Sequence, residues 1–258
     1  MLDAAQSEVQ NNFAQIGKIL GKIDTNVVDV TLAPTFVHIP LASTLVGSIP
    51  GMSLASQNCA PSDAGAFTGE VSPSQLKEFG VQWVIIGHSE RRTLFAEPTE
   101  LLKQKVNAAL KAGLGVILCI GEAQVEEGRP ASESVVMQQV RDIFLAASDA
   151  PAFDPSRIVI AYEPVWAIGT GLTATPDYVL TMHTEIRRVL AELPGPAAGA
   201  AGAAAARIIY GGSVTKANSF DLAKMSEVNG FLLGRASTQA EEFAAIINLA
   251  SQAKAEGK

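Results

Sequence analysis

The sequence predicts an α/β fold built of parallel strand–helix units, on three observations. Short apolar runs of strand length recur along the 258 residues. Stretches with helical periodicity and helix end signals lie between them. Polar residues able to do chemistry gather just after the runs. Several runs are nearly continuous in apolar residues instead of alternating, as expected for parallel strands covered on both faces. Regular strand–helix alternation is the pattern of βα units.

The elements follow in chain order. Asp3 and Gln6 form a D-x-x-Q capping box. Val9, Phe13, Ile16, Leu20 and Ile23 then make one apolar helical stripe. Seven runs have strand length: VVDVTLA (27–33), MSLASQ (52–57), WVIIG (83–87), LGVILCI (114–120), IVIAY (158–162), RIIYG (207–211) and GFLLG (230–234). Ser72-Pro73 and Thr175-Pro176 each pair an N-cap residue with a first-turn proline. After Thr175, the residues Val179, Met182, Ile186, Val189 and Leu193 form a second stripe. Residues 98–112 read as a helix closed by Gly113 at the C′ position. Thr238-x-x-Glu241 reads as the cap of the last helix, whose stripe is Phe243, Ile246, Ile247 and Ala250. The biased stretch PGPAAGAAGAAAA (194–206) reads as a surface connection. Nothing else suggests a boundary, so one domain over 1–258 is expected.

The chain is 48% hydrophobic and 17% charged, with a net charge of −7. That balance argues against nucleic acid or an anionic membrane surface as partner. It leaves room for a small anionic substrate at one locally positive site. Cys59 and Cys119 lie in or at the end of apolar runs and are expected to be free buried thiols, which suits a reducing compartment. No Cys/His spacing suggests a metal. The opening MLDAAQSEVQ does not read as a signal peptide. No run of 18 apolar residues suggests a membrane span.

Ligands of parallel α/β folds bind at the carboxyl ends of the strands. After WVIIG come His88, Ser89, Glu90, Arg91 and Arg92, and after IVIAY comes Glu163. Gln57 ends the second run and Asn58 follows it; Gly211 ends the sixth, with Gly212 and Ser213 after it; Gly234 ends the seventh, with Arg235 after it. Each has an ordinary reading alone: a buried histidine, an ion-pair member, a turn. Together they place one carboxylate and one imidazole at the ends of different strands, near two glycine-rich ends whose amides could cradle a phosphate. His38 and His183 fall in helix-like stretches and read as structural or exposed.

The stretches SQNC (56–59), GAFTGEVS (65–72), WVIIGHSERR (83–92), CIGE (119–122), AYEPVWAIGTG (161–171), ATP (174–176), IIYGGSVT (208–215) and GFLLGRAS (230–237) resemble the triosephosphate isomerase family, in the right order. The resemblance implies a (β/α)8 TIM barrel, here without its first β-strand. It implies cofactor-free and metal-free interconversion of dihydroxyacetone phosphate and D-glyceraldehyde 3-phosphate through an enediolate, in a cytoplasmic homodimer. Glu163 would be the base, and His88 the electrophile, kept neutral by a helix N-terminus as in that family. Gly169, Ser213, Gly234 and Arg235 match phosphate-binding positions, with Glu90, Tyr210, Gly211 and Gly212 in support. Pro164-Val165-Trp166 and Gly169-Thr170-Gly171 would hinge a lid tipped by Ala167 and Ile168. Thr68 would enter the partner's site, and Glu70 and Arg91 would pair across the interface.

The sequence departs from the family in four places. No Asn-x-Lys strand precedes the first helix, and seven strand runs stand where a closed barrel needs eight. Arg235 and Ala96 replace usual glycines. The expectation for the chain as it stands is unpaired edges at 27–33 and 230–234 and at most trace turnover. A non-catalytic sugar-phosphate-binding or interaction protein on the same scaffold is the rival reading. A barrel aldolase or lyase is disfavoured, because no strand end carries a lysine suited to a Schiff base.

Overall fold

The structure is a computed structural model that describes residues 6–20, 27–47, 49–126, 128, 134–145, 150–194 and 199–256. Among these residues, six strands form one sheet in sequence order: β1 (Val30–Leu32), β2 (Met52–Ser56), β3 (Trp83–Ile86), β4 (Gly115–Ile120), β5 (Ile158–Tyr162) and β6 (Arg207–Tyr210). Every neighbouring pair is parallel, so each connection must cross back along the sheet, as helices do. The helices are α1 (Gln6–Leu20), α2 (Ile39–Val46), α3 (Pro73–Glu78), α4 (Ser89–Leu94), α5 (Thr99–Lys111), α6 (Val135–Phe144), α7 (Pro176–Glu192), α8 (Ala200–Ala205), α9 (Ser219–Lys224) and α10 (Ala240–Glu256). This is the wall of a TIM barrel.

The continuous apolar runs are explained by two packed faces. Val84, Ile86, Val116, Leu118, Ile120, Ile158, Ile160, Tyr162 and Ile208 join the large core shared with the helices. The alternate residues Ile85, Ile117, Cys119, Val159 and Ala161 form a second, inner cluster with Trp83, Ile209 and Leu232 against it. Cys59 and Cys119 are both free and buried. The register sets Ile86 beside Leu118, Ile120 beside Tyr162, and Tyr162 beside Tyr210. The residues after β3, β4, β5 and β6 therefore emerge along one rim.

Local signals place several helices as expected. Ser72 and Gln75 complete a reciprocal capping box at α3, and Thr175 caps α7. Gly113, at φ 84°, ends α5 in the left-handed region that favours glycine. Val9, Phe13 and Ile16 of the first stripe are buried; the cap at Asp3 and the stripe's Ile23 lie outside the described residues.

Four expectations need correction. The run 230–234 is a single bridge, Tyr210 to Phe231, not a strand. Leu232 N–H still donates to the Tyr210 carbonyl (2.9 Å), but the chain then turns at Gly234 into a 3₁₀ turn, Arg235–Thr238. The run 27–33 pairs only over Val30–Leu32. Within 194–206, residues 200–205 form α8. Alanine is the best helix former, Gly202 and Ala203 are buried, and Arg187 Nη1 caps the end by donating to the Ala203 and Ala206 carbonyls. Thr238 does not cap α10: its hydroxyl donates to the Arg235 carbonyl (2.8 Å) inside the 3₁₀ turn.

His183 is fully buried on α7, edge-on to the Tyr162 ring, with Nδ1 3.0 Å from the Glu227 carbonyl. Burial pushes its pKa down to about 4, against a weaker upward pull from that hydrogen bond. The unfolded chain takes up this proton near 6.5, the folded one only near 4. Stability from His183 is therefore complete above pH 6.5 and is lost as pH falls toward 4, by about 3 kcal/mol in all. Denaturant melts of wild type and His183→Gln across pH 7 to 4.5 should show a flatter pH slope in the variant. Identical slopes would place the titration elsewhere.

Candidate active site

Glu163 continues the alternation of β5. Ala161 faces the inner cluster and Tyr162 the helices, so Glu163 returns inward at the rim. Its side chain is only 2% exposed and lies 2.9 Å from His88 Nε2 through Oε1. Oε2 accepts the Ser89 N–H at 2.9 Å. Two glycines make room for it. A Cβ on Gly121 would lie 1.8 Å from the Glu163 carbonyl oxygen, and one on Gly211 would lie 2.9 Å from Glu163 Cγ.

His88 is the N-cap of α4, and its Nδ1 accepts the Glu90 N–H at 3.3 Å. An imidazole that accepts at Nδ1 carries its single proton on Nε2 and is neutral. Burial lowers the pKa of His88, yet the hydrogen bond and charge of Glu163, with the exposed Glu90 3.9 Å away, raise it on balance. These two observations pull apart. The hydrogen-bond pattern decides the tautomer, because the upward pull comes chiefly from Glu163 in this docked position.

The segment after Glu163 starts in a 3₁₀ turn, Val165–Ala167. Trp166 Nε1 donates to Glu122 Oε1 (2.7 Å), which also accepts the hydroxyls of Tyr162 (2.8 Å) and Tyr178 (3.0 Å). Val165 N–H donates to the Glu122 carbonyl (3.0 Å). Burial raises the Glu122 carboxyl pKa, partly offset by these donors. At the other end, Gly169 and Gly171 have φ of 71° and 84°. Ile168 is exposed between the two ends.

The two glycine-rich ends are neighbours. Gly211 N–H donates to the Tyr162 carbonyl (2.7 Å), and the Cβ position of Gly211 is 3.7 Å from Leu232 Cβ. A Cβ on Gly212 would overlap the Tyr210 hydroxyl. Asn218 holds the Ser213 carbonyl, and Ser237 holds that of Gly234. Arg235 is exposed, with negative φ, so its side chain is tolerated where the family usually has glycine. Ala96 is the other departure, and it carries a cost. Its φ is 50°, the only positive value at a non-glycine residue among those described, a strain of about 1 kcal/mol.

The loop 59–72 is closed by Ala60 N–H to the Val71 carbonyl (2.8 Å). Thr68 and Glu70 are exposed on it. Arg91 pairs within the chain with Glu97 (2.6 Å). The structure thus brings Glu163, His88, Glu90 and Gly211 together and keeps Thr68 and Glu70 on the surface.

A model of the triosephosphate isomerase family matches residues 4–250. The chain belongs to the triosephosphate isomerase family. A curated triosephosphate isomerase from Trichlorobacter lovleyi is 42% identical over 224 residues, 87% of this chain and 86% of the relative. The chain is accordingly an isomerase whose substrate is a triose phosphate. No helix among the described residues is long and apolar enough to cross a membrane. Among the same residues, no group of three or more His, Cys, Asp or Glu side chains could hold a metal ion.

Two features of this isomerase escaped the sequence reading. Glu122 ends the CIGE motif, and its place after an apolar run was the available signal. Lys105 is almost fully buried and joins Asn58 (2.9 Å) to Glu97 (2.7 Å) behind the 59–72 loop. No local pattern announces that lysine.

Proposed function

We propose that Glu163 and His88 interconvert dihydroxyacetone phosphate and D-glyceraldehyde 3-phosphate by proton transfer through an enediolate. The observation that carries this reading is the buried Glu163 carboxyl 2.9 Å from His88 Nε2 at the strand rim. Isomerising an α-hydroxy carbonyl moves a proton between adjacent carbons. One carboxylate takes it from one carbon and returns it to the next. The developing enediolate oxygen needs a donor, and the His88 Nε2–H is matched to it. The amides near Gly169, Ser213, Gly234 and Arg235 hold the phosphate, with Glu90, Tyr210, Gly211 and Gly212 shaping the rim. Phosphate binding closes the lid and excludes water from an intermediate prone to lose phosphate. The test is turnover in deuterated water, where wild type should introduce solvent deuterium at the substrate carbons and Glu163→Gln should not. Exchange at wild-type rate in the variant would remove Glu163 from the chemistry.

The same reading takes 1–258 as one domain of a cytoplasmic enzyme working as a homodimer. The two buried thiols suit a reducing compartment. Thr68 is taken to reach the partner's site, and Glu70 to pair with Arg91 across the interface. Leu94 and Phe95, 75% and 63% exposed, lie close in sequence to Arg91 and are large apolar side chains of the kind that interfaces cover. Shortening residues 60–66 should give monomers of weak activity by sedimentation. A wild-type chain that sediments as a monomer at micromolar concentration would defeat the dimer assignment.

A further inference from the structure

We infer that Gln139 is a positioning residue for the base, acting through the backbone of Gly121; this rests on the assignment of Glu163 as the base. Gln139, on α6, captures both hydrogen-bonding groups of a single residue. Its Nε2 donates to the Gly121 carbonyl and its Oε1 accepts the Gly121 N–H, each at 2.9 Å. A neutral carboxamide donates and accepts at once in this way at any pH.

Gly121 lies just past β4, whose last ladder partner is Ile120 opposite Tyr162. Contact with Glu163 forces this position to be glycine, since a Cβ would fall 1.8 Å from the Glu163 carbonyl oxygen. Glycine is also the residue with least conformational restraint. The neighbours of Gly121 hold the base from both sides. The Ile120 carbonyl accepts the Glu163 N–H (2.8 Å), and the Glu122 carbonyl accepts the Val165 N–H (3.0 Å). Residues 120–122 are thus the bed on which the Glu163 backbone lies. Its most pliable residue is fixed by one side chain from a different element. Gln139 supplies the restraint that Gly121 cannot supply itself.

The phosphate end is built on other elements, at 211–213 and 234–235. Loosening Gly121 should therefore misplace the base without loosening phosphate. A base displaced by a fraction of an ångström to about 1 Å costs up to roughly a hundredfold in rate.

The experiment, run at pH 8, compares wild type with Gln139→Met, similar in length but without the hydrogen bonds, and Gln139→Glu, which as a carboxylate keeps the acceptor and loses the donor. We expect kcat to fall roughly ten- to a hundredfold in Gln139→Met and less in Gln139→Glu. KM, and competitive inhibition by inorganic phosphate, should stay within about twofold. Wild-type kcat in Gln139→Met, or phosphate inhibition weakening in step with kcat, would overturn the inference. If Gln139→Met does not fold, a wild-type kcat in Gln139→Glu is the overturning result. Glu163→Gln is assayed alongside. A dead Glu163→Gln beside a fully active Gln139→Met removes Gln139 alone, whereas an active Glu163→Gln removes the base assignment beneath it.

Discussion

Glu163→Asp lowers kcat about a hundredfold or more and leaves KM nearly unchanged. The substitution keeps the charge and removes one methylene, so the carboxylate retracts from the carbon it must deprotonate. The backbone cannot advance to compensate. It is tied by the Glu163 N–H to the Ile120 carbonyl (2.8 Å) and lies directly against Gly121. In the resting site the carboxylate spans the His88 Nε2 and the Ser89 N–H at 2.9 Å each. A shorter side chain cannot hold both without moving one of them. A misplacement of about 1 Å costs about 10²-fold in rate, which is about 2.7 kcal/mol on the barrier. The phosphate is assigned above to other groups, so the loss should sit in kcat. Steady-state kinetics with D-glyceraldehyde 3-phosphate, with inorganic phosphate as competitive inhibitor, measure the split. A variant with near wild-type kcat would mean that another group moves the proton.

Much of this site was legible because its determinants are local. Glu163 and His88 were found by asking which residues follow apolar runs, and the parallel register carries those residues to one rim. Ser72 and Thr175 were legible as caps because the N-cap bond spans three residues. Reading failed where a tertiary partner decides. Residues 230–234 look like β4 in composition, yet a strand exists only where a neighbour pairs, and only Phe231 finds one in Tyr210. The alanine run 200–205 looked like a linker for want of large side chains, but α7 and the Arg187 guanidinium make it a helix. Thr238 had the right spacing to cap α10 and spends its hydroxyl one turn earlier. Gln139 reaches back 18 residues to Gly121, and Lys105 reaches back 47 residues to Asn58, spacings that no periodicity encodes.

His88→Gln should lower kcat by 10²- to 10³-fold, or about 2.7–4 kcal/mol, the usual worth of one preorganised donor at a developing oxyanion. The histidine is suited to this by how it is held. Glu90 N–H occupies Nδ1 at the start of α4, which fixes the ring and leaves the proton on Nε2. A second proton would displace that amide hydrogen bond and place a cation at the positive end of the helix. Glu163, with a smaller pull from Glu90, is what favours such a proton; on the proposed mechanism a Glu163 carboxylate directed at the substrate would no longer supply that hydrogen bond. In the proposed role the imidazole would therefore meet the enediolate as a neutral donor of fixed direction. Glutamine offers an N–H of its own, but on a chain with more rotamers and no ring nitrogen for the Glu90 amide to grip. Its donor reaches the oxyanion position only part of the time. Phosphate inhibition should persist, because the groups at 211–213 and 234–235 belong to other strand ends. Loss of phosphate inhibition in parallel with kcat would make His88 a structural residue of the rim. Unchanged turnover would show that the oxyanion is met by a different donor.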